Sequence, residues 1–175
     1  INPAAYTHTS IAIRDAIAKA HELGVTSAQN AGVDEAEVEL YDELLKKGDL
    51  QLRLYNAISI EPPFTAADAD RLDGLWKRRP DDALVKMGAV KLMLDGVIES
   101  HTAAMLEPYA NRPATGLPNM DAATLNGIVA MMDRRGWQVL VHAIGDAAVR
   151  QSLDAFEHAA AVNPVPARGR RHRIE

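Results

Sequence analysis

Residues 136–146 read GWQVLVHAIGD, and this short stretch decides the fold. An apolar run of the kind found in buried strands ends at Gly145–Asp146, where a helical spacing of apolar residues takes over for 146–162. The run predicts a strand over 137–144, and its one polar imidazole, His142, interrupts it. His142 is therefore either a hydrogen-bonded core histidine or a residue that binds something.

The same alternation of strand and helix runs along the whole chain. Each predicted strand is a nearly continuous apolar run, which is typical of a parallel sheet covered by helices. We predict helices over 9–23, 34–48, 65–79, 121–136 and 146–162, and strands over 24–32, 50–60, 88–96, 137–144 and 171–175.

Two architectures accommodate a parallel sheet: an open doubly wound sheet and a closed (β/α)8 barrel. No predicted helix opens with the G-x-G-x-x-G pattern of dinucleotide-binding proteins, which disfavours the open sheet. The chain starts without methionine and stops inside a predicted strand. Because only five strands are predicted and both ends look truncated, we predict part of a (β/α)8 barrel.

The composition narrows the possible functions. The 175 residues include 47% hydrophobic residues, as in globular domains, and no cysteine, which excludes disulfides and thiolate metal sites. A net charge of −5 argues against nucleic acid and anionic membrane as partners. Nothing resembles a signal peptide or a membrane span of about 20 residues. We expect a cytoplasmic protein with a small-molecule substrate.

A lysine lies in the middle of the predicted strand GAVKLMLDG (88–96). Because side chains alternate along a strand, Lys91 shares a face with Met93 and Asp95, and that face is the barrel interior if Lys91 points inward. One interpretation is an ion pair with Asp95 or Glu99. The other is that a neutral amine takes up carbon dioxide and forms a carbamate, which can bridge two metal ions.

His142 poses the same alternative in the strand over 137–144, where it shares a face with Leu140 and Ile144. A lone strand histidine is more often a satisfied core residue, yet imidazole is a common zinc ligand. Two costly polar groups near the ends of adjacent strands are explained most economically by one shared site. We interpret Asp146 as the N-cap of the following helix, with orientation of the site as its second possible role.

The stretches VKLMLDGVIESHTAAMLEPY (90–109), VLVHAIGDAAVRQSLDAFE (139–157) and RHRIE (171–175) together resemble the YtcJ-like branch of the amidohydrolase superfamily, also called the amidohydrolase 3 family. Its members are metal-dependent hydrolases built on a (β/α)8 barrel. The resemblance spans the chain in order. It implies that residues 1–175 are the central portion of a metal-dependent hydrolase barrel domain, about strands 2 to 6 with their helices, truncated at both ends. It implies one or two divalent metal ions, most simply zinc.

The resemblance also assigns residues. It implies that Lys91 is the carboxylated or otherwise metal-facing lysine and that His142 is a metal ligand. The sixth strand of such proteins reads R-I-E-H and its ligand is that last histidine, whereas this chain ends at Glu175; His172 is out of register with it. The first-strand histidine pair and the general-base aspartate are also expected outside the chain, so no catalytic residue is assigned within it.

The segment DGVIESHTAAM follows the strand of Lys91, where loops line the mouth of a barrel. We predict that it contacts substrate, although a solvated loop is equally plausible. The candidate substrate-binding residues are Glu99, Ser100, His101 and Thr102.

The function implied by the resemblance is hydrolysis of a carbon–nitrogen bond outside peptides, in an amide or formamide-like compound, by a water that the metal activates. With only two candidate ligands, the isolated chain is expected to be inactive. The alternative is a non-catalytic barrel fragment that binds a small ligand or serves assembly. Unpaired strand edges also predict homo-oligomers, or coverage by the remainder of a longer chain.

Overall fold

The computed structural model describes residues 3–79, 82–167 and 169–175. Within them, five helices alternate with five strands. In chain order these elements are α1 (Pro3–Glu22), β1 (Ser27–Val33), α2 (Glu35–Lys46), β2 (Arg53–Ser59), α3 (Ala66–Lys77), β3 (Val85–Met93), α4 (Ala122–Arg134), β4 (Gln138–His142), α5 (Asp146–Val162) and β5 (Arg173–Ile174).

The strands form one sheet in the order β1-β2-β3-β4-β5, which is also their order along the chain. The pairs β1–β2, β3–β4 and β4–β5 are parallel. Parallel strands that follow one another in sequence, each joined to the next by a helix, are the repeating pattern of a (β/α)8 barrel. The predicted fold class, α/β with part of such a barrel, is confirmed.

The chain divides into two compact units, Ile1–Ser59 with Trp76–Met87 and Ile60–Leu75 with Gly88–Glu175. In the first unit, β1 pairs with β2 from Ser27 opposite Arg53 to Asn30 opposite Asn56, and the register then shifts before Val33. The second unit contains both predicted metal-facing residues. Its fully buried core side chains include Leu92, Leu94, Leu125, Val129, Met132, Val139 and Val141.

Helix starts follow local capping chemistry. Asp34 and Asp121 are the N-caps of α2 and α4, and each carboxylate accepts a hydrogen bond from the backbone N–H three residues later. The Thr65 hydroxyl accepts a hydrogen bond from the backbone N–H of Asp68 at 3.3 Å, and the Asp68 carboxylate accepts one from the N–H of Thr65 at 2.9 Å. This reciprocal arrangement is a capping box, and it explains why α3 begins at Ala66.

Other boundaries differ from the prediction. The first helix begins at Pro3 instead of residue 9. Proline is compatible with this first position, because the N–H group it lacks has no partner in the first helical turn. The strand predicted over 88–96 spans Val85–Met93. Asp146 is not an N-cap: Gly145 holds that position, and the Asp146 carboxylate instead accepts the backbone N–H of Leu106 at 2.7 Å.

None of the helices in the described ranges is long and apolar enough to cross a membrane.

Candidate metal centre

The register of β3, β4 and β5 places three polar side chains on one face of the sheet. Lys91 lies opposite Leu140, and Met93 lies opposite His142. Glu175 lies opposite His142 on the other side, because its N–H donates to the Val141 carbonyl and its carbonyl accepts from the N–H of Ala143. Paired residues of neighbouring strands point to the same face. Lys91, His142 and Glu175 therefore share a face, as predicted for the first two.

The opposite face of the same strands is apolar and closed. Val90, Leu92, Val139 and Val141 are fully buried there. On the face of Lys91, by contrast, Met93 is 50% exposed. The polar residues thus lie on the more open side of the sheet, near the carboxyl ends of the strands.

Lys91 forms an ion pair in this structure. Its Nζ lies 2.6 Å from Oε1 of Glu175, and the lysine side chain is only 8% exposed. The prediction that Asp95 or Glu99 would be its partner was wrong. The Asp95 carboxylate accepts backbone hydrogen bonds instead, and Glu99 is exposed in a turn. An ammonium has no lone pair, so Lys91 must lose a proton, and with it this ion pair, before its nitrogen can bind a metal ion or carbon dioxide.

The half-buried ring of His142 is oriented by the backbone. Its Nε2 lies 3.1 Å from the carbonyl oxygen of Gly96. A carbonyl only accepts hydrogen bonds, so Nε2 carries the proton and Nδ1 keeps its lone pair in the neutral ring. This contact is the one expected of a satisfied core histidine. It is also the contact that usually orients a metal-binding histidine through its second nitrogen.

Asp95 organises the backbone around this site. Its side chain is buried, and its carboxylate accepts three backbone hydrogen bonds: from Ile144 at 2.9 Å, Gly145 at 2.8 Å and Ala104 at 2.9 Å. Asp95 follows β3, Ile144 and Gly145 follow β4, and Ala104 belongs to the long loop. The only local sign of this role in the sequence is an Asp-Gly pair after one strand and Ile-Gly after the next.

The long loop from 97 to 120 forms a cavity of about 580 Å³ beyond the end of β3. Two of the four predicted substrate-binding residues, His101 and Thr102, line it, together with Gly96, Arg112, Ala114, Thr115, Gly116, Leu117 and Asn119. The other two, Glu99 and Ser100, are exposed and lie outside this lining.

The loop is tightly hydrogen-bonded around the predicted substrate residues. Oγ of Thr102 accepts from the N–H of Val97 at 2.9 Å and lies 2.8 Å from the hydroxyl of Ser100. His101 has a φ of 58°, in the left-handed region that few side chains adopt, and its ring packs edge-on against Tyr109 at 4.8 Å. A rigid wall containing one strained residue is typical of binding sites.

The chemistry of the donors fits a divalent cation only in part. The Nδ1 of His142 and a carboxylate oxygen of Glu175 are nitrogen and oxygen donors of the kind that zinc accepts. A catalytic zinc site usually takes at least three protein ligands. Over residues 3–79, 82–167 and 169–175, no three histidine, aspartate or glutamate side chains come together to hold a metal ion.

Solved structures with the same architecture indicate the class of protein. The chain superposes with a TM-score of 0.79 and 28% identity on an uncharacterized metal-dependent hydrolase from Pyrococcus furiosus, covering 97% of this chain and 33% of that one. A metal-dependent hydrolase from Pyrococcus horikoshii OT3 gives a TM-score of 0.74 and 26% identity, over 93% of this chain and 31% of that one.

Residues 8–175 match the model of the amidohydrolase family, and the chain belongs to that family, as its motifs predicted. The putative amidohydrolase YtcJ of Bacillus subtilis is 39% identical over 74 residues, which are 42% of this chain and 14% of that protein. Protein LONG AFTER FAR-RED 3 of Arabidopsis thaliana is 41% identical over 90 residues, 51% of this chain and 15% of that protein. The chain thus spans about a third of the solved structures, and its matches cover a smaller share of these relatives.

Proposed function

We propose that this chain supplies the central strands of a metal-dependent hydrolase that cleaves a carbon–nitrogen bond outside peptides, in an amide or formamide-like compound. The observation that carries the proposal is the shared face of Lys91 and His142 at the carboxyl ends of adjacent strands, where barrel enzymes place their active sites. Membership of the amidohydrolase family supports the reaction class.

A divalent ion bound at this face, which we propose to be zinc, would polarise a carbonyl group and activate a water molecule. His142 would hold it through Nδ1, while the hydrogen bond from Nε2 to the Gly96 carbonyl keeps the ring in place. Lys91 would join the site as a carbamate or remain an ammonium that stabilises negative charge. In either role, Glu175 is the group that competes for it.

The loop cavity is the proposed substrate site. Gly96 lines the cavity and its carbonyl oxygen accepts the hydrogen bond of His142, so the cavity adjoins the proposed metal centre. We propose that His101 and Thr102 form its wall and that Glu99 and Ser100 influence binding from its rim. The general-base aspartate remains predicted outside residues 1–175, and the cytoplasmic location remains a prediction.

A second candidate function is non-catalytic: a small-ligand-binding or assembly module, in homo-oligomers or with the remainder of a longer chain. One observation favours it, because the ion pair of Lys91 with Glu175 and the hydrogen bond of His142 satisfy both groups without a metal ion. The apolar residues Met93 and Ile144, 50% and 40% exposed, offer a surface for such a partner.

Diffraction data collected at the zinc edge from crystals grown with zinc would test the metal proposal. We expect an anomalous peak at about 2.0–2.1 Å from Nδ1 of His142, on the side of Lys91. The variant His142→Ala should lose the peak, whereas His158→Ala, at an exposed position of α5, should keep it. A crystal that binds zinc elsewhere and not beside His142 would favour the assembly module.

Turnover is a separate measurement. We expect the purified chain to hydrolyse neither formamides nor acyl amides in the presence of zinc, since it offers fewer ligands than a catalytic site uses. Turnover that disappears in both Lys91→Met and His142→Ala would show that the described residues suffice for catalysis, against the expectation of an incomplete site.

A further inference from the structure

The backbone around His142 is held in place by a single side chain. The Asp95 carboxylate accepts hydrogen bonds from the backbone N–H groups of Ile144 and Gly145, which lie two and three positions after His142. The residue after Asp95 is Gly96, whose carbonyl oxygen accepts the hydrogen bond from Nε2–H of His142. Both the imidazole and its acceptor are therefore attached to backbone segments that Asp95 joins.

We propose that Asp95 is a positioning residue for His142. By joining the end of β3 to the end of β4, it holds the Gly96 carbonyl against Nε2, so that the proton stays on Nε2 and the lone pair on Nδ1. The proposed orientation of the His142 ring requires only residues of this chain and no metal ion. Its use in binding a metal ion rests on the proposed function.

The chemistry at this position requires a carboxylate. Oδ1 accepts from Ile144, and Oδ2 accepts from both Gly145 and Ala104. An ionised carboxylate offers acceptors on both oxygens, and hydrogen bonds to it are about twice as strong as neutral ones. An asparagine would turn an N–H group toward at least one of the three backbone donors. The buried donor left there would have no acceptor.

The surrounding backbone leaves little room to adjust. A Cβ atom on Gly145 would overlap the carbonyl oxygen of Ala104, and a Cβ atom on Gly96 would overlap the hydroxyl of Thr102. The same Ala104 carbonyl accepts from the N–H groups of Ala147 and Ala148 in the first turn of α5. The backbone around Asp95 is therefore closely packed. Loss of one of its acceptor positions should shift the neighbouring backbone segments as well.

The test is the tautomer of His142, read from nitrogen-15 NMR of the histidine-labelled chain, with the ring assigned by comparison with His142→Gln. In the wild-type chain above the pH at which imidazole is protonated, we expect Nε2 as the protonated nitrogen and Nδ1 as the bare one. Asp95→Asn should give a mixture of tautomers. Asp146→Asn is the matched control, because its carboxylate also accepts a loop N–H, that of Leu106, whereas the N–H groups of Ile144 and Gly145 donate to Asp95.

Zinc is the second probe in the same samples. We expect zinc to shift Nδ1 of His142 in the wild-type chain and Asp95→Asn to weaken that binding about 10- to 100-fold, as loss of an orienting partner does elsewhere. An unchanged tautomer in Asp95→Asn, or an equal change in Asp146→Asn, would overturn the positioning role. A tautomer change without any response to zinc in the wild-type chain would uphold that role and count against the metal site.

If Asp95→Asn does not fold, the wild-type chain still tests the proposal. Amide hydrogen exchange of Ala104, Ile144 and Gly145 should then be slowed to the level of the β4 core, because one buried acceptor holds all three. Rapid exchange at these amides, or a wild-type ring protonated on Nδ1, would contradict the proposed arrangement.

Discussion

The ion pair between Lys91 and Glu175 predicts that its two members are not equally replaceable. The lysine side chain is 8% exposed, whereas the glutamate side chain is 31% exposed and has a second cation, Arg173, 3.3 Å from its other oxygen. Glu175→Gln would leave a buried ammonium beside a neutral amide. Lys91→Met would leave a carboxylate that retains water and an arginine.

The expected magnitudes follow from that exposure. Removing one partner of a fully buried ion pair costs about 3–5 kcal/mol. Because water reaches Glu175, we expect Glu175→Gln to lower the free energy of unfolding by about 2–3 kcal/mol. Methionine fills the space of the lysine stem and needs no counter-ion, so Lys91→Met should change it by less than about 1 kcal/mol.

Urea unfolding followed by far-UV circular dichroism would measure both variants and the double variant. The double variant should recover most of the loss, since it removes the unpaired ammonium, and the coupling should be about 1–3 kcal/mol. Equal losses in the two single variants, or a larger loss in Lys91→Met, would refute the view that burial of the ammonium governs this pair.

Three further predictions concern the same unit. Asp133 is fully buried and accepts hydrogen bonds from Arg170 and His172. Asp133→Asn should therefore lower the free energy of unfolding in urea by about 3–5 kcal/mol. Burial lowers the pKa of His172 in the folded chain, against the opposing effect of Asp133. The unfolded chain then binds the extra proton, so stability should fall by up to about 1.4 kcal/mol per pH unit as the pH drops below about 6.5. Gly145→Ala should lower the free energy of unfolding by about 1–3 kcal/mol, because the added Cβ would overlap the Ala104 carbonyl oxygen.

Each of these three predictions has a matched control on an exposed or open position. Asp154→Asn and His158→Gln alter exposed residues of α5, and we expect changes within about 0.5 kcal/mol and no change in the pH dependence. Gly127→Ala adds a Cβ inside α4 where no atom lies within 4 Å, so it should stabilise the chain by up to about 1 kcal/mol. A loss in Gly127→Ala as large as that in Gly145→Ala would contradict the steric argument.

The sequence could predict the candidate site only where the alternation of side chains along a strand fixes the face to which a residue points. Alternation along β3 and β4 predicts which neighbours share a face with Lys91 and with His142, and the register places these two residues on the same face. The sequence could not predict the ion-pair partner of Lys91 in this way. Glu175 lies 84 residues away in sequence and reaches the lysine across β4, whereas proximity in sequence favours Asp95 and Glu99.

The amino-acid sequence by itself determined the elements, their order and the family. Apolar periodicity separates helices from strands, and capping residues such as Thr65 and Asp121 start the helices, because both signals act over a few neighbouring residues. Only the tertiary structure decided that Asp95 joins two strand ends and a loop, and that Glu175 neutralises Lys91. The Asp95 contacts depend on which backbone N–H groups remain without partners after the sheet has formed, and the Lys91–Glu175 pair depends on the order of the strands in that sheet. No local pattern of residues records either.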